Sequence, residues 1–384
     1  MNNEQTPRKT ARLIYADSET SADMLYAVGI MLPDPFIWIE IDDYPSVVVS
    51  DLEAARMRSA LGEEANVYTT KETARQYDLQ EKPPPRAEAI IPAITEHAAV
   101  TELEVPEDFP VGLAYKLNRA GLKISPVSPF FPEREQKNAH EIEFIRKAVR
   151  MAESGMQQAV AALRNADIDS DGALVWQEAP LTSEILQGII NAAIAREGGT
   201  AAHTIAAAGI RSAFPHDEGN GEIHANEPIV IDIFPRSNRT GYYGDLTRTF
   251  VKGTPPPIVA QAFEAVNEAK AAAKTEIAPE RPAAAAHNAA ADVLSAHGFT
   301  TSTSAESGPS GFIHSLGHGL GLNLHEWPRV SNAGETVLQP GHVMTVEPGL
   351  YYPEWGGVRL EDVVAVTENG YENLTRIPVF LAIA

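Results

Sequence analysis

Between Leu13 and about Ser128, short runs of β-branched and aromatic residues ("RLIYA", "FIWIEI", "SVVVS", "NVYTT") alternate with segments of helical spacing ("SADMLYAVG", "DLEAARMRSAL"). Such runs read as strands, and their alternation with amphipathic stretches predicts a small α/β domain. The proline-rich stretches "KPPPR" and "SPVSPFFPE" punctuate this region, and the second comes just before a long helical pattern. The expected division is therefore residues 1–132 and 133–384.

The second part has a different pattern. In "NAHEIEFIRKAVRMAESGMQQAVAALRNA", Ile142, Ile145, Val149 and Met156 recur at intervals of three, four and seven, which predicts one long helix with a buried face. "SEILQGIINAAIARE" predicts another, with Ser183 as N-cap and Gly198-Gly199 as the stop. Two more are expected around "PPPIVAQAFEAVNEAKAAAKT" and "PAAAAHNAAADVLSAHG". Strand-like runs lie between and after them: "EPIVIDIF", "DLTRTFV", "HVMTVEPGLYY" and "VRLEDVVAVTE". Helices mixed with antiparallel strands predict an α+β fold for this larger part.

Composition narrows the range of functions. A chain of 384 residues exceeds what one core usually supports, in line with two domains. Its 30 Lys+Arg against 52 Asp+Glu give a formal charge of −22, a field that repels phosphate backbones and anionic headgroups. Neither nucleic acid nor a membrane is an expected partner. The absence of cysteine excludes disulfides, thiolate nucleophiles and sulfur-ligated metals. The polar N-terminus lacks a signal-peptide core, and no apolar run reaches the roughly 20 residues of a membrane span, so a soluble cytoplasmic protein is expected.

One local motif matches a calcium loop. "DIDSDGALVWQE", Asp167 to Glu178, fits D-x-D-x-D-G-x5-E, with Leu174 in the apolar position. Pro180 stands where the exiting helix of such a loop should begin, and the chain has no second loop of this kind. A calcium site here competes with an acidic surface connection between two helices.

The central question is why Asp232 and Asp245 interrupt apolar or β-branched runs. If "PIVIDIF" and "YYGDLTRTF" pair as a hairpin, the two acids share one face. Buried carboxylates that close call for a cation, an arginine partner or an acid/base dyad. A purely structural alternative pairs one acid with Arg248 and leaves the other at a strand end. Downstream, "FIHSLGHGLGLNLHEWPRV" holds His314, His318 and His325 among glycines. His314 and His318 have zinc-protease spacing, but no glutamate follows the first histidine and glycines disfavour the helix. Glu347 ends an apolar run before Pro348-Gly349, and Glu361 lies among Val358, Leu360, Val363 and Val364. Arg359 is the nearest ion-pair candidate for Glu361. Four carboxylates and an imidazole around one site need concentrated positive charge, which two divalent cations supply.

These motifs resemble the pita-bread metallopeptidases, a family that includes Xaa-Pro aminopeptidases, prolidases and methionine aminopeptidases. The resemblance runs from about Asn138 to the C-terminus, with a looser match of the N-terminal part to the family's non-catalytic domain. It implies Asp232, Asp245, His318 in "HSLGHGLGL", Glu347 in "TVEPGLY" and Glu361 in "VRLEDVV" as metal ligands. It further implies that His216 in "FPHDEGNG" binds substrate, with His224 a nearby competitor, and that His325 contacts the substrate near the scissile carbonyl. His314 either assists or orients the pocket, and Arg359 supports a ligand carboxylate. Two features depart from the family. Phe234 stands where D-x-G has glycine, and the Asp232–Asp245 connection is longer by about two residues.

The resemblance implies hydrolysis of the bond before proline, with two divalent ions activating water and Glu347 shuttling a proton to the leaving nitrogen. Oxygen-rich ligation makes manganese the first choice, with cobalt, zinc or iron as alternatives. Trp327, Tyr351, Tyr352 and Trp355 are candidate walls for the proline ring. The expected substrate is a peptide with proline at the second position, and the expected assembly a homodimer. The leading reading is an Xaa-Pro aminopeptidase, with the Xaa-Pro dipeptidase (prolidase) as the alternative. A metal-free creatinase-like hydrolase, a silent binding relative and a calcium-dependent interaction protein stand behind these.

Overall fold

The structure is a computed structural model that describes residues 9–80, 82–302, 308–333 and 335–384. The chain divides into two compact units, residues 1–134 and 135–384.

The first unit is built on one mixed sheet. Its strands are β1 (Lys9–Ala16), β2 (Phe36–Ile41), β3 (Tyr44–Val49), β4 (Asn66–Thr69), β5 (Val100–Pro106) and β6 (Lys123–Val127), in the order β4-β3-β2-β1-β5-β6. β1, β2 and β3 are antiparallel neighbours, and β4, β5 and β6 join in parallel. Helices α1 (Ala22–Val28), α2 (Ala54–Leu61), α3 (Thr70–Gln76), α4 (Ala87–His97) and α5 (Val111–Arg119) connect the strands. Successive strand residues point to opposite faces. Leu13, Ile37 and Val48 pack with Ile91 of α4 and Leu117 of α5, whereas Ile14, Trp38 and Val47 pack with Met24 of α1 and Met57 of α2. Both faces are covered, which explains why these strands read as unbroken apolar runs.

The second unit begins with α6 (Ala139–Asn165), opened by a capping box in which Asn138 and Glu141 satisfy each other's backbone N–H groups. α7 (Ser183–Arg196) packs against it, and α8 (Pro257–Thr275) packs against α9 (Ala283–Ala296). The cap of α7 is Thr182, whose hydroxyl accepts from Ile185 N, not the expected Ser183, which is the first helical residue. The two hydroxyl residues are adjacent, and extended φ/ψ at Thr182 decides between them.

Residues 167–178 correct the calcium-loop expectation. They form a small meander of β7 (Asp167–Ile168) and β8 (Leu174–Trp176), continued by β9 (Ala179–Pro180). Asp169 Oδ1 is used inside the turn, accepting from the N–H groups of Asp171 and Ala173. No helix leaves the loop, so the spacing match lacks the scaffold that would converge its oxygens.

The remaining strands are β10 (Gly199–Thr200), β11 (Ile205–Ala208), β12 (Ile229–Asp232), β13 (Arg236–Ser237), β14 (Thr247–Lys252), β15 (Gly317–Gly319), β16 (Glu326–Val330), β17 (Val343–Val346), β18 (Gly349–Tyr352), β19 (Gly356–Arg359), β20 (Asp362–Thr367), β21 (Gly370–Asn373) and β22 (Ala382–Ile383). They form sheets ordered β11-β12-β14-β22 and β16-β15-β17-β20-β21, with β18-β19 and β10-β13 as separate pairs. Ile229, Ile231 and Phe250 pack on Met156 of α6 and Ile190 of α7. Val346, Leu350 and Val364 pack on Val266 of α8 and Ala290 of α9. Each helix pair thus backs one group of strands.

Two expected strands are each broken in the middle. "HVMTVEPGLYY" divides into β17 and β18, and "VRLEDVVAVTE" into β19 and β20, because β17 pairs with β20 while β18 pairs with β19. Pro348, which has no N–H to donate, marks the first change of partner. Leu360 N meets Pro348 O at 3.4 Å across the gap. Glu347 and Glu361 sit at these two breaks.

Candidate metal centre

Asp232 ends β12 and stands opposite Thr247 of the antiparallel β14. Asp245 lies two residues before Thr247, so both acids face the same way, although Asp245 precedes the strand instead of belonging to it. Gly244 lets this segment touch α6, since a Cβ there would come within 2.3 Å of the Ala148 carbonyl carbon. Asp245 is 4% exposed and Glu361 2%.

Potential ligand atoms of Asp245, His318 and Glu361 lie within 4.8 Å of one another. His318 Nε2 is 3.7 Å from Asp245 Oδ2 and 3.3 Å from Glu347 Oε1. Asp232 lines the same cavity, its Oδ2 held by Arg359 Nη2 at 2.7 Å. The cavity measures about 1030 Å³ and also takes in His216, His314 and His325. His224 lies elsewhere, in a bridge with Ala173, so His216 is the histidine that reaches the site. The rings of His325 and His318 meet edge to face at 4.3 Å. His314 is held between Ser315 O and the Tyr351 hydroxyl.

Arg248 pairs with Asp362 and with neither of the two aspartates, which removes the pairing with Arg248 considered for them. Arg359, the nearest cation to Glu361 in sequence, instead serves Asp232 and the Tyr351 hydroxyl. Of the four aromatic wall candidates, Trp327 lines the cavity and Tyr351 is fully buried behind Arg359. Tyr352 and Trp355 stack on each other at 5.3 Å and pack on the α8–α9 core, outside the lining. Phe234, seen in the sequence only as a departure from D-x-G, lines the cavity. So does Arg329, which the sequence reading missed. Strand alternation was the signal for it, since Trp327 and Arg329 share the exposed face of β16.

The electrostatics call for cations. Burial, reinforced by Asp232, pushes the Asp245 carboxyl well above its usual range, and burial with Asp245 does the same to Glu361. Burial would also raise Glu347, but hydrogen bonding to His318 outweighs it and holds that carboxyl well below the ordinary value. Burial works against protonating His318, yet the Glu347 hydrogen bond and charge bring it up to about 9. Burial keeps His314 and His325 low, so both imidazoles are neutral near pH 7. Asp232 Oδ1 is buried and has no hydrogen-bond partner among the described residues. An orphaned oxygen, two carboxyls unwilling to ionise and one imidazole form a donor set that fits divalent metal.

A pH dependence follows. Ligation by these groups would need neutral His318 and ionised Asp245 and Glu361, so metal binding there would release protons. Affinity is expected to rise from about pH 6 towards about pH 9, where His318 titrates, by roughly tenfold per pH unit for each proton released. Calorimetric titration in buffers of different ionisation enthalpy measures that release.

The profile of metallopeptidase family M24 matches residues 143–368. The Xaa-Pro dipeptidase of Pyrococcus furiosus is 36% identical over 241 residues, covering 62% of this chain and 63% of the relative, so the aligned part is less than two thirds of that protein. The solved prolidase from Pyrococcus furiosus superposes with a TM-score of 0.77 at 25% identity, over 96% of each chain. The X-Pro aminopeptidase from Thermotoga maritima gives 0.81 at 22% identity over 98% of each, a likeness of fold. The α+β pita-bread architecture expected from the sequence is the one observed. With more than half of its length matched by the profile, the chain belongs to metallopeptidase family M24.

Proposed function

We propose that the protein is a dinuclear metal-dependent exopeptidase that hydrolyses the bond before proline. The observation that carries this reading is the convergence of Asp245, His318 and Glu361 in the cavity that also holds Asp232 and Glu347. These five are the proposed ligands, with manganese the first choice because four of the five donors are hard carboxylate oxygens. The bound ions would supply Lewis acidity, making a water nucleophilic near neutral pH and polarising the scissile carbonyl.

The chain's own groups do the rest. Glu347 takes a proton and delivers it to the leaving nitrogen. Neutral His325 hydrogen-bonds the substrate near the scissile carbonyl, His216 binds the substrate from the same cavity, and His314, fixed by Tyr351, orients that wall of the pocket. The bond before proline has no N–H, so the leaving side needs no acceptor, and Phe234 and Trp327 offer it apolar surface. Assembly as a homodimer, implied by the family resemblance, and a cytoplasmic location belong to this reading.

Between the aminopeptidase and dipeptidase readings, Arg329 favours the dipeptidase. Arg359 is committed to Asp232 and Tyr351, whereas Arg329 lines the cavity with no ion pair among the described residues. A guanidinium so placed suits the free carboxylate of a C-terminal proline.

The test is metal-stripped protein reloaded with manganese and assayed on Ala-Pro, Ala-Pro-Ala and Met-Ala. Ala-Pro should be cleaved best. Cleavage of Met-Ala alone would reassign the protein to methionine aminopeptidase chemistry, and inactivity on all three would mark a silent relative. Arg329→Leu is expected to raise KM for Ala-Pro by about 10- to 100-fold and to leave Ala-Pro-amide nearly unchanged. Equal effects on both would return the assignment to the aminopeptidase.

A further inference from the structure

We infer that Thr247 and Thr345 are positioning residues that lock four of the five proposed ligands into two fixed pairs. The inference rests on the metal-centre reading above. Both hydroxyls are fully buried. Thr247 Oγ1 accepts from Arg359 Nε at 3.2 Å and lies 2.9 Å from Glu361 Oε2. Thr345 Oγ1 accepts from the His318 backbone N–H at 3.0 Å and lies 3.0 Å from Glu347 Oε1.

With both glutamates ionised, as metal ligation requires, the direction of each proton is forced. A guanidinium and a backbone N–H can only donate, so each hydroxyl spends a lone pair on that donor and sends its single proton to a carboxylate. One oxygen of each glutamate is thereby fixed as an acceptor. Arg359 also holds Asp232 through Nη2, so the first relay runs from Asp232 through Arg359 and Thr247 to Glu361. The second runs from the His318 backbone through Thr345 to Glu347.

These relays join residues 127 and 27 positions apart along the chain, spans read from the Asp232–Arg359 and His318–Thr345 bonds. Glu361 sits at a strand break, where the regular ladder does not fix its backbone. The neighbouring strand supplies that support, with Glu361 N donating to Thr247 O and Arg248 Nη1 donating to Glu361 O. The second relay requires close approach, because a Cβ on Gly317 would fall 2.1 Å from Thr345 O.

The test compares Thr247→Val and Thr345→Val with Thr247→Ser and Thr345→Ser in the full-length protein. Manganese dissociation constants are read by calorimetry, and the metal-free melting temperature checks folding. Valine keeps the shape and removes the proton, so each valine variant should bind manganese at least about tenfold more weakly, and the serine variants should stay within about twofold of wild type. If the serine variants weaken binding by about tenfold, methyl packing and not the hydroxyl is responsible and the inference fails, even where a valine variant does not fold. If folded valine variants bind like wild type, it fails while the metal-centre reading stands. If wild type binds no manganese, both fail.

Discussion

Asp245→Asn is expected to lower kcat/KM on Ala-Pro by at least about 10³-fold while making the metal-free protein more stable. The two effects share one cause. Asp245 lies within reach of His318 and Glu361, and burial with the nearby Asp232 charge drives its carboxyl well above the ordinary range. Without metal, a carboxyl whose folded value is raised keeps the fold fully stable only below its unfolded value near 3.8, and stability is lost as pH rises through the folded value. Asparagine does not ionise and escapes that cost, so the metal-free variant should melt higher at neutral pH. It also offers no anionic oxygen to metal, so activity should collapse. Differential scanning calorimetry of stripped protein and steady-state assays of reloaded protein measure the two sides. A variant that is both inactive and less stable would show that Asp245 serves the fold and not a cation.

Arg359→Met should destabilise the metal-free protein by about 3 kcal/mol or more. Arg359 is 3% exposed, and its guanidinium donates to Asp232, Tyr351 and Thr247 through three different nitrogens. Burial alone would ease its deprotonation, but Tyr351, Asp232 and Glu347 overcome this and hold it charged far above its usual value. It is a permanent cation in direct contact with the acid cluster through Asp232. Removing it leaves the Asp232 carboxylate, only 14% exposed, without its ion-pair partner. Arg359→Lys should not rescue, because one ammonium on a longer lever cannot reproduce three divergent donors. Saturating manganese should recover part of the lost stability, since bound cations replace the missing charge. Chemical denaturation with and without manganese gives both quantities, and an undiminished loss with metal would place the role of Arg359 outside the ligand set.

Much of the centre was legible in the sequence because its residues violate a local rule. Asp232 and Asp245 in apolar runs, and Glu347 between Val346 and Pro348, are costly placements that only a shared purpose offsets. What stayed hidden depended on partners distant in sequence. The breaks that place Glu347 and Glu361 arise because β17 and β18 choose different neighbours, and no local pattern encodes that choice. Arg248 and Arg359 each looked like a partner for the nearest acid, yet both reach past it, Arg248 to Asp362 and Arg359 to Asp232. The calcium template failed for the opposite reason. Its spacing is local, but function needs a helix that Pro180 prevents, and Asp169 spends an oxygen on its own turn. Tyr352 and Trp355 resembled a substrate wall because aromatic side chains serve cores and pockets alike, and here the α8–α9 core claims them.

The central claim is that five side chains, at positions 232, 245, 318, 347 and 361, grip a pair of cations. Calorimetric titration of stripped protein with manganese tests it most directly. The wild type should bind two ions per chain, with at least one lost in Asp245→Asn. Absence of binding, or two undiminished sites in that variant, would contradict it.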